Sequence, residues 1–435
     1  MIYIQLTTKN NTVKWILRLT VMGMILFTTL SHTQKNSMKE SNQTSKKKRV
    51  TAKDILGNPD YLAICFEGYR QNSREVQPTV RQLKEDLRIL GAMGIKIVRT
   101  YNVQFLHAAN LLLAIHELKV SDPDFEMYVM LGAWIDCKNA WTDQPPDHNI
   151  ESEQNEGEIG RAVALANQYP DIVKIISVGN EAMVKWASSY YVQPAVILKW
   201  VNHLQSLKIT GKLPKELWIT CSDDFASWGG GDSEYHTEDL KKLINAVDYV
   251  SMHTYPYHNT HYNPAFWQVP AADALDSDIK KIDKAILRAT EFAQNQYKAV
   301  EDYIKSLGID KPLHIGETGW ASESDGFYGS DGSKATDEYK QGLYYKHMRE
   351  WTGAAGISCF YFEAFNEQWK DAQNPKGSEN HFGLFTLAGE AKYALWKLAD
   401  EGAFKGLGRD NIPIVKTFNG DVNALMKNVL PPNKK

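Results

Sequence analysis

Two glutamates in this 435-residue chain stand where an apolar run turns polar: Glu181 in the segment VGNEAM and Glu317 in IGETGW. Cleavage of a glycosidic bond requires one carboxylic acid to protonate the leaving oxygen and a second carboxylate to act on the anomeric carbon. Two glutamates that face one substrate atom are therefore the minimal apparatus. A separation of about 5 to 5.5 Å would indicate the retaining, two-step route. The alternative for each glutamate is a solvated loop charge.

Short apolar runs alternate with amphipathic stretches from residue 58 onward, which predicts repeated βα units and a parallel sheet. The runs occupy 61–69, 95–102, 127–135, 173–183, 217–225, 247–257, 312–320 and 357–365. Eight strands with intervening helices favour an α/β fold of the (β/α)8 TIM barrel type. A doubly wound open sheet is the competitor, but the first run ends in CFEGYR instead of a glycine-rich phosphate turn.

The barrel prediction places both glutamates on one face, because they end the fourth and seventh of the eight runs. Side chains at the C-terminal ends of barrel strands converge on the substrate. Helical patterns are predicted between the runs at 79–90, 105–118, 155–168, 193–207, 337–351 and 391–400. Longer insertions follow the third, fifth and sixth runs, and they leave the same face.

The N-terminus has the pattern of a targeting segment, since Lys9, Lys14 and Arg18 precede an apolar stretch from Leu19 to Leu30. We predict a signal peptide or signal anchor over 1–34, a basic flexible linker over 35–57, and one (β/α)8 catalytic domain with a C-terminal extension over 58–435. The chain is expected to be exported: periplasmic, extracellular or membrane-anchored at the cell surface. Membrane contact is expected only through that anchor.

Charge and cysteine usage exclude several classes of function. Residues 1–50 hold nine Lys/Arg and one acid, which leaves 40 basic and 51 acidic residues in the rest. An acidic body repels phosphates, so we expect no nucleic acid partner. The four cysteines, Cys65, Cys137, Cys221 and Cys359, are too scattered for a disulfide framework and form no CxxC. We expect no cofactor, no metal and a monomer.

The segments VGNEAM, IGETGW and YFEAFNEQWK resemble signature segments of glycoside hydrolase family 17, the β-1,3-glucanases. VRTYN, GAWI and HFGLF extend the resemblance. Ala321 follows the GW where plant members have proline, and FEAFNEQWK is closer to the bacterial and fungal branch. The resemblance implies a retaining hydrolase that cleaves β-1,3-glucosidic bonds of laminarin-type β-glucan by double displacement, with Glu181 as acid/base and Glu317 as nucleophile.

The resemblance also implies supporting residues. Asn180 matches a neighbour that hydrogen-bonds the sugar 2-hydroxyl, Tyr101 and Tyr255 match aromatic positions lining the subsites, and Glu367 and Lys370 match a charged pair beside the nucleophile. Independently of the family, Trp134 and Trp320 lie near strand ends, where sugar rings stack on aromatic planes. Each of these aromatic residues has packing as its alternative role. Lys370 and Tyr255 are expected to keep Glu317 ionised.

Three rival functions remain at this point. His253, His258 and His261 follow the sixth run and suggest metal-dependent hydrolysis, but no HExxH motif is present. A non-catalytic carbohydrate-binding barrel would normally have lost one carboxylate, whereas both are here. A β-1,3-glucanosyltransferase uses the same two glutamates and passes the glycosyl unit to a sugar instead of water. The sequence does not separate the transferase from the hydrolase.

Overall fold

The structure is a computed structural model that describes residues 49–435. The predicted targeting segment and most of the predicted linker lie outside the described residues. Eight strands form a closed barrel. They are β1 Leu62–Cys65, β2 Ile95–Arg99, β3 Tyr128–Ala133, β4 Val173–Asn180, β5 Trp218–Asp224, β6 Val250–His253, β7 Leu313–Gly319 and β8 Cys359–Phe362.

All neighbouring strands in the barrel are parallel, and each pairs with the next one along the chain. The barrel closes where Ala63 of β1 is in register with Phe360 of β8. The strands are almost wholly buried, because helices cover one side and packed side chains fill the interior. The predicted (β/α)8 barrel is therefore confirmed.

Helices surround the barrel. They are α1 Ala52–Ile55, α2 Val80–Ala92, α3 Leu106–Ser121, α4 Gln154–Gln168, α5 Pro194–Ile209, α6 Glu238–Ala246, α7 Pro256–Tyr262, α8 Asp278–Ser306, α9 Glu338–Ala355, α10 Trp396–Asp400 and α11 Val422–Met426. Helix α2 begins with a capping box, in which the Thr79 side chain accepts from the Gln82 N–H and the Gln82 side chain accepts from the Thr79 N–H.

Several helical segments differ from the prediction, since the sequence predicts no helix for α1, α6, α7, α8 or α11. The sequence assigned no helix after β6, yet α8 spans 29 residues there, with Ser277 as its N-cap. The helix predicted over 391–400 is wrong only at its start, since Ala391 and Lys392 are not helical, whereas Tyr393–Leu395 form a 3-10 turn that leads into α10. Ala391 donates its N–H to the Val415 carbonyl at 2.7 Å and accepts from the Thr417 N–H at 3.0 Å, so this part pairs with the C-terminal segment instead of winding into a helix.

Both ends of the described chain pack on the barrel. Ala52 and Ile55 of α1, inside the predicted linker, are fully buried. Near the other end, a two-stranded hairpin (Gly408–Arg409 with Ile412–Pro413) brings Arg409 into a buried ion pair with Asp86 of α2, at 3.0 Å. No helix within residues 49–435 is long and apolar enough to cross a bilayer.

The insertions after the third, fifth and sixth strands build the rim of the C-terminal face. The connection after β3 forms a second two-stranded hairpin, Cys137–Lys138 with Asp147–Glu151. A short turn, Ala226–Gly230, follows β5, and α7 follows β6 directly. These segments surround the ends of β4 and β7, where the two glutamates lie.

Candidate active site

The turn after β4 sets the position of Glu181. Gly179 has φ of 81°, and a Cβ there would stand 2.9 Å from Cβ of Ala182, so only glycine fits. Glu181 itself has φ of 47°, a backbone conformation that residues other than glycine rarely adopt. Its N–H donates to the Ser222 carbonyl at 3.0 Å. Such strain is held by the surrounding structure and is typical of functional sites.

Glu317 lies inside β7, directly after Gly316. A Cβ at Gly316 would stand 2.2 Å from the hydroxyl oxygens of both Ser222 and Ser251, so the barrel interior is closed beneath the glutamate. One carboxylate oxygen of Glu181, one of Glu317 and a ring nitrogen of His253 lie within 4.8 Å of one another. The structure therefore brings the two predicted carboxylates together, at a separation compatible with the retaining route.

Arg99, at the end of β2, lies beneath both glutamates and is 1% exposed. Its guanidinium donates to Glu317 Oε1 at 2.8 Å, to the Gly316 carbonyl at 2.6 Å, and to the Asn180 amide oxygen. With that oxygen engaged, the amide NH2 of Asn180 is the end that can donate to a sugar hydroxyl. The hydrogen bond from Asn180 to a sugar 2-hydroxyl stays a prediction.

Glu317 is held in its ionised form. Burial by itself raises its pKa, but the Arg99 guanidinium and the Tyr255 hydroxyl outweigh burial and bring the pKa below its ordinary value. The Tyr255 hydroxyl donates to Glu317 Oε2 at 2.7 Å, as predicted. The Tyr101 ring lies under the guanidinium of Arg99, with 4.8 Å between the guanidinium carbon and the ring centroid.

Glu181 is shifted in the opposite direction. Burial raises its pKa well above the ordinary value, the negative charge of Glu317 adds to this shift, and Arg99 opposes it only in part. Glu181 therefore retains a proton under conditions where Glu317 is charged. Two carboxylates with pKa values driven apart by their surroundings have the electrostatics of an acid and a nucleophile.

His253 links the two carboxylates. Burial lowers its pKa to about 4, so the ring is neutral near pH 7. Its Nε2 lies 3.2 Å from Arg99, which has only donors, and 2.7 Å from the Ser222 hydroxyl. Nε2 therefore accepts, and the proton on Nδ1 points to Glu181 Oε1 at 3.0 Å. The sequence does not predict these roles, because it indicates no function for Arg99 and offers His253 only as a metal ligand.

Lys370 does not contact Glu317, so the prediction that it keeps the nucleophile ionised is wrong. Its ammonium pairs with Glu363 and, at 3.4 Å, with Glu367. The Tyr69 N–H also donates to Glu367, at 3.2 Å. The predicted charged pair exists, but it neutralises a separate buried carboxylate cluster near β1 and β8. The positive charge that contacts Glu317 belongs to Arg99, whose side chain reaches the barrel interior from β2.

The two predicted tryptophans have different surroundings. Trp320 is fully buried, donates its indole N–H to the Ala335 carbonyl at 2.8 Å, and packs on Trp267 and Tyr344. A direct sugar contact by Trp320 is therefore excluded, and its role is to support the end of β7. Trp134, after β3, is half-buried and contacts Tyr190, with ring centroids 5.2 Å apart.

The same geometry bears on metal binding. Glu181, His253 and Glu317 are close enough together to hold one cation. However, Arg99 already places a positive charge 2.8 Å from Glu317 and 3.2 Å from His253, and a metal ion would be repelled by it. His258 meets the Tyr328 hydroxyl and His261 stacks on Phe327, so neither joins His253 in a cluster. The site is built for proton transfer and nucleophilic attack.

Comparison with known proteins gives a consistent picture. The family model of the BtgE/BtgC glycoside hydrolase domain matches residues 63–383. A probable glucan endo-1,3-beta-glucosidase btgC of Aspergillus oryzae is 25% identical over 387 residues, covering 83% of this chain and 47% of the relative. This chain thus spans about half the length of that relative. A glucan 1,3-beta-glucosidase of Arthroderma benhamiae is 24% identical and covers 71% of this chain and 82% of the relative.

Solved structures add a stronger similarity. The crystal structure of an endo-laminarinase from Formosa Hel1_33_131 is 65% identical, with a TM-score of 0.88, and covers 89% of this chain and 98% of that chain. A glycoside hydrolase family 17 beta-1,3-glucanosyltransferase from Rhizomucor miehei, at 18% identity and a TM-score of 0.53, covers 77% of this chain and 96% of that chain. The latter similarity concerns the fold alone.

Proposed function

Because the chain belongs to the BtgE/BtgC glycoside hydrolase family, we propose that it is a retaining endo-β-1,3-glucanase that hydrolyses laminarin-type glucan, in glycoside hydrolase family 17. Glu181 is its acid/base and Glu317 its nucleophile. The observation that carries the proposal is one carboxylate pair within 4.8 Å whose pKa values are shifted in opposite directions. The β-1,3 linkage and the endo mode are inferred from the names of the relatives.

In the first step, Glu317 attacks the anomeric carbon and forms a glycosyl ester, while the bond from that carbon to the leaving oxygen breaks. Glu181 gives its proton to that oxygen, so the leaving sugar departs as a neutral alcohol. Arg99 and Tyr255 bind the attacking carboxylate from two sides, at 2.8 and 2.7 Å, which fixes its orientation toward the cleft. The Asn180 amide donates to the 2-hydroxyl of the reacting sugar.

In the second step, Glu181 acts as a base. Once Glu317 is esterified its negative charge is gone, and with it the electrostatic contribution that raised the pKa of Glu181. The ionised Glu181 removes a proton from water, and the water oxygen displaces Glu317 from the anomeric carbon. Two inversions at the same carbon retain its β-configuration.

Product analysis tests the proposal. The purified chain is incubated with linear β-1,3-glucan, mixed-linkage glucan and β-1,4-glucan, and products are separated by length over time. We expect oligosaccharides of intermediate length from the β-1,3 polymer first, and proton NMR should show the β-anomer before mutarotation. Release of glucose alone would contradict the endo mode. An initial α-anomer would contradict the retaining mechanism.

The same time course on short laminari-oligosaccharides separates hydrolysis from transfer. A glucanosyltransferase would make products longer than the starting oligomer, because a sugar hydroxyl replaces water in the second step. We favour hydrolysis, supported by the 65% identity to a protein described as an endo-laminarinase. Persistent longer products at low substrate concentration would overturn this preference.

We further infer export and a monomeric state. The basic and apolar pattern of residues 1–34 supports export, since a polysaccharide is met outside the cytoplasm. Cell fractionation with an antibody to the chain, and light scattering on the purified protein, measure these two properties. Recovery of the chain from the cytosol, or a dimer in solution, would contradict them.

A further inference from the structure

Three aromatic side chains lie in contact beside the catalytic pair: Trp134 after β3, Trp141 in the hairpin that follows, and Tyr190 after β4. We call them the aromatic platform. Trp141 stacks on Tyr190 with ring centroids 5.0 Å apart and 23° between the planes, and Trp134 lies 5.2 Å from the same ring. Trp141 is 63% exposed, which is unusual for a side chain with so much apolar surface.

The platform is fixed by the insertion after β3. Asp136, between Trp134 and the hairpin, is held by Asn155, whose side chain accepts from the Asp136 N–H at 3.1 Å and donates to the Asp136 carbonyl at 3.0 Å. The Cys137 N–H donates to the Tyr190 carbonyl at 3.0 Å, which ties the hairpin to the connection after β4. Trp141 has φ of 62°, a conformation that a bulky residue adopts only where its surroundings impose it. The exposed indole is therefore held in place before any ligand arrives.

The platform is anchored directly to the turn that carries Glu181. Val192, two residues after Tyr190, donates its N–H to the carbonyl of Ala182 at 2.7 Å, and Ala182 follows Glu181. Electrostatics agree: burial raises the pKa of Tyr190, and ionisation of the nearby Glu181 adds to that shift. The aromatic rings thus lie on the acid/base side of the site.

In the proposed function, the acid/base touches the oxygen that joins the reacting sugar to the leaving sugar. The units beyond that oxygen therefore lie on the side of Glu181, where the platform is. Glucosyl rings present apolar C–H faces that stack on aromatic planes. We propose that Trp134, Tyr190 and Trp141 bind the glucosyl units on the leaving-group side of the scissile bond, with Trp141 contacting units furthest from it. This inference rests on the proposed function.

A platform of this kind has two consequences. It holds a chain on both sides of the catalytic pair, which favours cleavage inside a polymer. After the first step it also binds an incoming sugar, so it influences the ratio of transfer to a sugar to hydrolysis by water.

The test compares substrates that differ only on the leaving-group side. Laminarihexaose can place several glucosyl units on the platform, whereas 4-nitrophenyl β-laminaribioside places only its aryl group beyond the scissile bond. For Trp141→Ala we expect the ratio of kcat/KM on the hexaose to kcat/KM on the aryl glycoside to fall about three- to tenfold. Trp141→Phe, which keeps a ring, should recover most of the ratio.

Trp186→Ala is the matched control, because Trp186 is 64% exposed on the same connection after β4 and makes no ring contact within residues 49–435. Its ratio should stay within twofold of wild type. An unchanged ratio in Trp141→Ala, an equal fall in Trp186→Ala, or a full loss in Trp141→Phe would overturn the inference.

A binding measurement keeps the platform testable apart from turnover. In a Glu317→Gln background, calorimetry should show that Trp141→Ala weakens binding of laminarihexaose by at least threefold. If the wild type cleaves neither substrate but this weakening is found, the proposed function fails and the platform stands. Equal affinity with and without Trp141 would refute the platform.

Discussion

Replacement of Arg99 by methionine would remove the positive charge beside Glu317 while keeping a side chain of similar length. Arg99 is buried and donates to Glu317 Oε1 at 2.8 Å. Methionine keeps a long unbranched side chain but removes the positive charge that favours the ionised nucleophile. We expect Glu317 to become harder to ionise, so that the acidic limb of the pH–rate profile moves to higher pH.

The size of this effect follows from the geometry. Opposite charges about 4 Å apart interact by about 4 kcal/mol at an effective dielectric constant of about 20. One pKa unit corresponds to about 1.4 kcal/mol, so the loss of Arg99 has an upper limit near 3 units. The Tyr255 hydroxyl still donates to Glu317. We therefore expect a rise of about 2 units, and about a 100-fold lower kcat/KM on the acidic side of the profile.

The assay is kcat/KM on laminarihexaose from pH 4 to 9 for the wild type and Arg99→Met. Because the lost partner leaves a buried charge, the free energy of unfolding should also fall, by about 3 to 5 kcal/mol. Arg409→Met is the matched control, since it breaks a comparably buried ion pair with Asp86 at 3.0 Å on the outer helix layer. It should lose less stability, because Arg70 still pairs with Asp86 at 2.8 Å, and its pH profile should keep both limbs.

One result would refute the reasoning about Arg99. If Arg99→Met loses activity but keeps the acidic limb of the wild type, the guanidinium does not set the ionisation of Glu317. Its role would then be to position Asn180 and the Gly316 carbonyl, which it also contacts.

Three further predictions concern single groups. Tyr255→Phe removes a hydrogen bond to Glu317, so it should move the acidic limb of the pH–rate profile up by about 1 pH unit and lower kcat/KM about tenfold. Tyr361→Phe is the control, because the Tyr361 hydroxyl is buried without a partner among residues 49–435, and it should not move the limb. An equal shift in both variants would contradict the role of Tyr255. Glu181→Gln removes the proton donor and should abolish the alkaline limb and lower kcat/KM on laminarihexaose by at least about 100-fold; retention of that limb would assign it to another group. Gly160 lies inside α4, and a Cβ added there would have no neighbour within 4 Å. Gly160→Ala should therefore raise the free energy of unfolding, measured by denaturant titration, by about 0.5 to 1 kcal/mol. A decrease would show that the added methyl group is not accommodated.

The sequence was informative where chemistry coincides with periodicity. Glu181 and Glu317 were predictable because each ends an apolar run, and the order of eight such runs places them at one face of a barrel. The barrel itself was predictable for the same reason. A residue whose importance depends on its strand position is visible once the strands are counted.

Other residues were hidden because their role depends on contacts between distant strands. Arg99 is a single cation at the end of an apolar strand, and nothing in VRTYN reveals that Glu317, 218 positions away, will meet it. Such a residue is nevertheless detectable in principle, since an unpaired cation inside a buried strand needs a carboxylate partner. For Trp320 the sequence predicts a sugar contact that the buried side chain does not make. An aromatic residue at the end of a strand has the same sequence pattern whether it packs inward or faces the cleft.

The buried Arg99 at the centre of the barrel also determines how a variant without its nucleophile could be used. If Glu317 were shortened to glycine, Arg99 would keep its contact with the Gly316 carbonyl but would face an anion-sized space. Small anions such as formate or azide would enter that space. The same space would also receive the fluoride ion that leaves an α-configured glycosyl fluoride. Glu181 could still act as the base that activates a sugar hydroxyl for attack on that donor. The scaffold is thus already shaped for conversion from degrading a glucan to synthesising one.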